Sequence, residues 1–358
     1  MEDKSKALGG GSSLRKFATK FFEAIFHCKN DGIYKVINIL GLKFRLKNKH
    51  KELLLKLDEQ NKVINRLSQH SRKYYHILLT QTSQAMNIYD VHKESFGKYK
   101  NYYNGRDLVV FGNGPSLNYY KPLNNVINIG VNLAFLSDKM KLDYLFISEK
   151  MCVERYLNEL DKVVAKKFYA LKINVSSGDT PHTPIHTHIP ESYCIRHNAQ
   201  RYYTIEAYPD DTFLWNNRKH YFTYKIDSQY LIHGHTIIFD PLQFALWTSP
   251  RKIYLVGCDA GHAIGKHFYG EDKEWCKYRA KFKKFKNQDD EDKYFNPYRQ
   301  QVKKCWIMLK EFAQMYYPDT EIISINPVGL KGNFKDIYTQ EFADNYLSQE
   351  EKKNIEIY

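Results

Sequence analysis

The sequence has no run of 18 or more apolar residues, so it offers no candidate for a membrane-spanning helix. It has no C-x-x-C pair either. Cys28, Cys152, Cys194, Cys258, Cys276 and Cys305 stand far apart, which denies a thiolate zinc site its spacing. Six is an even number, so counting alone leaves disulfides open; a chain of 358 residues has little need of them, and reduced thiols in a cytosolic setting are expected. The stretch 1–13 is polar, carries Gly9–Gly11, and lacks an apolar signal-peptide core behind a basic stub. It reads as a disordered tail. Acidic residues are in short supply, with 40 Asp+Glu against 54 Lys+Arg and a formal net charge of +14. That balance draws an anion: nucleic acid, an acidic membrane surface or a phosphorylated ligand. No helix-turn-helix, RNP or zinc-finger signature is present, which sets nucleic acid aside.

The basic excess is local. Between Arg15 and Lys56 eleven Lys and Arg residues face only Glu23, Asp31 and Glu52. Phe17, Phe21 and Ile25 follow steps of four, widened by Phe22 and Phe26, and predict an amphipathic helix with basic flanks. It packs on its own domain or lies on an anionic membrane. Leu53, Leu57, Ile64 and Leu67 span barely two heptads and predict a short helical hairpin, followed by a polar helix over 71–92 and a loop over 93–106. Residues 14–100 are therefore read as a basic helical N-terminal region.

From Asp107 the pattern changes. Strands are expected at 108–111, 125–131, 144–148, 167–173, 252–257 and 321–326, with helices at 236–247 and 302–316. This alternation predicts an α/β, Rossmann-like, mostly parallel sheet with helices on both faces over 107–340, then a helical tail at 341–358.

Four stretches carry chemistry. Gly112-Asn113-Gly114-Pro115-Ser116-Leu117 follows a buried strand; its glycines admit a ligand close to the backbone and its helix start faces an anion, or it is simply a tight turn. Gly234 and Thr236 open a helix, where Thr236 caps it or holds a ligand hydroxyl. Asp259 ends the strand 252–256, placed to meet ribose or an acceptor sugar, or to cap the next turn. The Gly-rich loop 261–270 brings together Lys266, His267 and Tyr269 as cation, base and phenol. Residues 271–299 are dense in opposite charges and read as a lid, or as an exposed helical excursion. His182, His186 and His188 lie in a Pro- and Thr-rich segment without a helix-borne ligand set, so no metal is assigned.

Together the motifs resemble a group of bacterial sugar transferases. Leu108 to Leu117 is similar to the opening strand and turn of the Campylobacter-type sialyltransferases (glycosyltransferase family 42) and of the related MptE-like domain (domain of unknown function 115). Gly130-Val131-Asn132, His235-Thr236 with Lys252 to Asp259, and Ile325 to Leu330 with Asn333-Phe334 resemble later segments of that fold. The resemblance implies a CMP-activated nonulosonic acid donor, a nucleotide near Asn113, Asn132 and Thr236, inversion at the anomeric centre and no required cofactor. Two departures stand out. Gly261 occupies the place of a family tyrosine, and Phe295-Asn296-Pro297-Tyr298 lacks the family's histidine after the lid, leaving His267 as the available base. These shift the sequence towards the MptE-like branch, some of whose members are Mg-ATP-dependent diphosphokinases.

The expectation is thus a cytosolic glycosyltransferase, peripheral on the inner face of the cytoplasmic membrane. It moves a nucleotide-activated sugar onto a glycan or glycolipid acceptor in surface polysaccharide or lipooligosaccharide synthesis. His267, Tyr269 and Lys266 are its catalytic candidates. Gly112, Asn113, Gly114, Ser116, Asn132, Gly234, Thr236 and Asp259 are its binding candidates. The alternatives are the diphosphokinase, with Asp259 on Mg²⁺, and a non-catalytic membrane- or nucleic-acid-binding protein.

Overall fold

A computed structural model of the chain describes residues 19–21, 26–31, 34–39, 42–47, 49–174, 189–206, 221–234, 236–260, 267–269 and 288–358. The chain divides into two compact units, Met1–Thr80 and Gln81–Tyr358.

The first unit corrects the expectation of a wholly helical N-terminal region. Strands β1 (Phe26–Asp31), β2 (Tyr34–Ile39) and β3 (Leu42–Lys47) form a three-stranded antiparallel sheet in that order. Gly32 and Gly41 stand in the two-residue intervals between strands, and Val36, Ile37 and Ile39 favour extended backbone. Leu42, Phe44 and Leu46 alternate with Lys43, Arg45 and Lys47, a period of two, and all six are exposed. Arg45 lies 4.1 Å above the Tyr34 ring, and Lys47 pairs with Glu52 at 2.8 Å.

Helix α1 (Lys49–Phe96) then runs unbroken for 48 residues. The expected hairpin is absent because no glycine or proline interrupts this stretch. Its last turns belong to the second unit: His92 and Phe96 are fully buried, and Phe96 stacks on Phe168. The loop expected over 93–106 therefore starts only after Phe96, with a 3-10 turn at Gly97–Tyr99.

In the second unit the strands are β4 (Asp107–Phe111), β5 (Val126–Val131), β6 (Tyr144–Ile147), β7 (Lys166–Asn174), β8 (Gln200–Glu206), β9 (Leu231–Ile232), β10 (Lys252–Val256), β11 (Glu321–Ile325) and β12 (Lys335–Ile337). The helices are α2 (Lys150–Arg155), α3 (Leu157–Lys162), α4 (Glu191–Arg196), α5 (Phe239–Trp247), α6 (Gln288–Tyr316) and α7 (Gln340–Tyr346). The nine strands form one sheet in the order β12-β11-β10-β4-β5-β6-β7-β8-β9, with every pairing parallel. This is the expected α/β Rossmann-like architecture. β8 and the short β9 and β12 extend it beyond the strands the sequence pattern reveals.

Both faces are covered, as a fully parallel sheet requires. Leu108 and Val110 of β4 point into a core with α5 and α6, while Val109 and Phe111 point into a second core with Leu117 and Tyr120. Every residue of α5 is buried. Its two polar residues are there because they satisfy backbone and side-chain partners. Gln243 donates to Ile232 O and Phe239 O and accepts from Thr223 N and Ile232 N. Asp240 accepts from Tyr202 Oη and Thr204 Oγ1 at 2.9 Å and lies 3.1 Å from His233 Nδ1.

Residues 288–299 of the expected lid are the first part of α6, and the other lid residues lie outside the described residues. The C-terminal stretch is helical only in part. After α7 the chain returns so that Tyr338 N donates to Glu356 O and Tyr358 N to Tyr338 O. No helix among the described residues is long and apolar enough to cross a membrane.

Candidate functional site

The strand order fixes where a ligand belongs. The chain moves outward from β4 to β9, then returns to the other side of β4 with β10. The switch point therefore lies between β4 and β10, and open parallel sheets bind ligands outside the carboxyl ends at such a point.

The two turns leaving these strands are joined backbone to backbone. Gly112 N donates to Val256 O and Gly114 N to Gly257 O, both at 2.8 Å. A Cβ on Gly112 would stand inside the Gly257 carbonyl, and one on Gly114 inside the Asp259 carboxylate. Gly257 adopts φ +65°, a left-handed conformation that side chains resist. These glycines answer first to each other.

Asp259 completes the junction. It is buried at 8% exposure; Ser116 Oγ donates to its Oδ1 at 2.6 Å and Ser116 N to its Oδ2 at 3.2 Å. The expected anion-facing helix start is instead a five-residue 3-10 turn, Pro115–Tyr119, and its Ser116 N–H already faces a carboxylate. Ser116 and Asp259 thus fasten β10 to the turn after β4.

What the turn presents is Asn113. Its Oδ1 is buried without a hydrogen-bond partner. An unmet buried acceptor costs about 1–3 kcal/mol, which a donor on a ligand would relieve. The Asn113 carbonyl accepts from Phe268 N at 3.0 Å, and Asn118 Nδ2 donates to Phe268 O at 3.2 Å. These two bonds hold the segment 267–269 beside the turn, with the His267 and Tyr269 rings stacked at 4.9 Å and 24°. Lys266 and His235 lie outside the described residues, as do His182, His186 and His188.

One strand further, Asn132 turns the chain at φ +42°, and its Oδ1 accepts from Ser148 N at 3.1 Å. Ser148 Oγ at the end of β6 is a second buried atom without a partner. Beyond it Lys172 Nζ meets Glu149 Oε1 at 2.6 Å. The carboxyl edge from β10 to β7 is thereby lined by polar side chains.

Gly234 and Thr236 sit apart from this group, after β9 at the far edge of the sheet. Gly234 adopts φ +53°, and a Cβ there would press on the Phe239 ring at 2.7 Å. Thr236 does not cap the following helix. Its N–H donates to His233 O and its carbonyl accepts from Phe239 N, while α5 begins after Ile238 without a side-chain cap.

No family model matches the chain, and no curated protein matches it. The chain is similar to Campylobacter jejuni sialyltransferases. The monofunctional α-2,3-sialyltransferase Cst-I overlaps at 13% identity and a TM-score of 0.34, over 62% of this chain and 75% of that one. The sialyltransferase CstII, solved with the substrate analogue cytidine-5′-monophosphate, overlaps at 13% identity and a TM-score of 0.35, over 65% and 85%. An overlap this loose transfers no residue role.

Sequence reasoning missed Ser148, Glu149 and Lys172. Their only signal is position, directly after β6 or at the end of β7, and that position becomes informative once the strand order is known. Cys152, Cys194, Cys258 and Cys305 form no disulfide. Burial pushes Cys305 up to about 11, away from any nucleophilic role.

Proposed function

We propose that this chain is a glycosyltransferase that binds a nucleotide-activated sugar at the carboxyl ends of β4, β5 and β6. The observation that carries the reading is Asn113. Its buried, unpartnered Oδ1 is held at the switch point by a turn whose other polar groups are already engaged. Gly112, Gly114, Ser116 and Asp259 build that turn and act through it. Asn113 accepts from the nucleotide, Asn132 offers its amide nitrogen and Ser148 its hydroxyl. Gly234 and Thr236 contribute through their place ahead of α5, which packs against β4 and β5.

The motif resemblance supports a CMP donor carrying a nonulosonic acid. In the reaction His267 takes the proton of an acceptor hydroxyl, and that oxygen attacks the anomeric carbon. The bond from that carbon to the phosphate oxygen breaks, and CMP leaves with the bonding pair. Configuration inverts. The Tyr269 phenol, with Lys266 beside it in sequence, donates to the departing phosphate as its charge grows. The acceptor is a surface glycan or glycolipid. The basic strands of the first unit, with Lys43, Arg45 and Lys47 exposed, draw the enzyme to the anionic cytoplasmic membrane face that carries such acceptors.

The test is release of CMP from a CMP-nonulosonate in the presence of a glycan acceptor. His267→Ala should lower kcat about 10²- to 10⁴-fold while leaving CMP affinity within a few-fold. Turnover that depends on Mg-ATP and collapses with chelator would instead assign the diphosphokinase reaction.

A further inference from the structure

Helix α1 carries an apolar stripe that the described fold leaves open. Leu53, Leu57, Ile64 and Leu67 are between 54% and 65% exposed, and Leu54 and Val63 beside them are each 52% exposed. The four stripe residues fall at steps of four, seven and three, the inner positions of a heptad, with Gln60 at the one between Leu57 and Ile64. The helix continues unbroken past them, and in the sequence the next inner positions of the same frame are Ser71, Tyr74 and Leu78. From Leu53 to Leu78 the repeat covers roughly 38 Å at 1.5 Å per residue. A seven-residue repeat drifts around a lone helix and stays on one side only where helices wind about each other.

Charge decides what covers the stripe. Between Leu53 and Leu67 the ionic residues are Lys56, Asp58, Glu59, Lys62 and Arg66, close to balance. Three of them are already paired along the helix, Lys56 to Glu52 at 3.6 Å and Lys62 to Asp58 at 2.6 Å. A helix lying on an anionic membrane needs a cationic polar face, and the stretch 53–67 carries an excess of only one cation. An acidic or basic protein would find no excess to pair with. A second copy of the same helix needs neither sign and presents the same stripe. Gln60 adds register: in a parallel, in-register pair it meets its own twin and the two amides exchange hydrogen bonds, whereas any shift sets an amide against leucine.

We infer that the chain dimerises through α1 as a parallel, in-register coiled coil, with Leu53, Leu57, Ile64 and Leu67 as the seam and Gln60 as the register residue. Sedimentation of the full chain at about 10 to 100 µM tests it, since association is concentration-dependent. The expected mass is about twice the 42.5 kDa of one chain. The double variant L57E/I64E should sediment as one chain, and the milder Gln60→Lys should weaken the dimer at least about tenfold. Both positions of the double variant are exposed, so its CMP-induced thermal shift serves as the check that the second unit is intact. A wild-type chain of single mass throughout this range overturns the inference, as does a dimer indifferent to both variants. Binding of a monomeric chain to phosphatidylcholine–phosphatidylserine vesicles, lost in L57E/I64E, would assign the stripe to lipid and also overturn it.

Discussion

Asn113 and Asp259 separate two kinds of polar residue at one strand edge. Asp259 has both carboxylate oxygens on Ser116, so its substitution is felt through the turn. Asp259→Ala leaves the Ser116 N–H and hydroxyl unmet and should cost about 1–3 kcal/mol of stability by chemical denaturation, with weaker CMP binding as a consequence. Asn113→Ala removes an acceptor that the fold itself does not use. It should leave stability unchanged or slightly raised while CMP affinity falls about tenfold or more, measured by calorimetry. Opposite signs on stability and binding are what distinguish a ligand contact from a fastener. His92 shows the same logic for a proton. Its Nδ1–H donates to Ile226 O at 2.8 Å and its Nε2 accepts from Tyr203 N at 2.6 Å, which fixes the neutral ring. Burial, the largest cause, lowers its pKa from the ordinary 6.5 to about 4. The unfolded chain therefore binds the proton more tightly, and the stability that His92 contributes is present above pH 6.5 and is lost as pH falls towards 4. About 3 kcal/mol is at stake. Urea midpoints measured between pH 7 and pH 4 should show this slope, and His92→Gln should flatten it.

At the scale of elements, the strands of the second unit were legible because buried parallel strands are short apolar runs closed by turn residues. Leu108–Phe111 and Lys252–Val256 are of this kind. Gly112 and Gly114 could be recognised as a tight turn, but not that the neighbour they admit is the turn after β10. That contact joins residues about 145 apart in sequence. It makes a sharp expectation: Gly257→Ala, forced to φ +65°, should lose about 1–2 kcal/mol from backbone strain alone, seen as a lowered Tm. In the first unit the period separates the elements: the helical reading rests on Phe17, Phe21 and Ile25 at steps of four, whereas Gly32 and Gly41 bracket β2 and Leu42 to Lys47 alternate by two. The hairpin expected over 53–67 needs a break that α1 does not contain. Ser148 and Lys172 were invisible for a different reason. A serine after one strand and a lysine near the end of another acquire meaning only from strand order.

Over the whole molecule, most of the +14 charge and the proposed nucleotide site belong to different units. Much of the excess falls in the strands and helix of Met1–Thr80, whereas the polar edge from Asp259 through Asn113 to Ser148 belongs to Gln81–Tyr358. In the proposed reading the charge addresses the protein to an anionic surface, and the sheet of the second unit holds the nucleotide. The proposed nucleotide sits at the switch point between β4 and β10, so the most direct measurement is thermal unfolding with CMP and with Mg-ATP, for the wild-type chain and for Asn113→Ala. CMP at about 100 times its Kd should stabilise the wild type by about 2.7 kcal/mol, without Mg²⁺, and should stabilise Asn113→Ala by no more than about 1.4 kcal/mol at the same concentration. Stabilisation by Mg-ATP and not by CMP, or an equal CMP shift in Asn113→Ala, would contradict it.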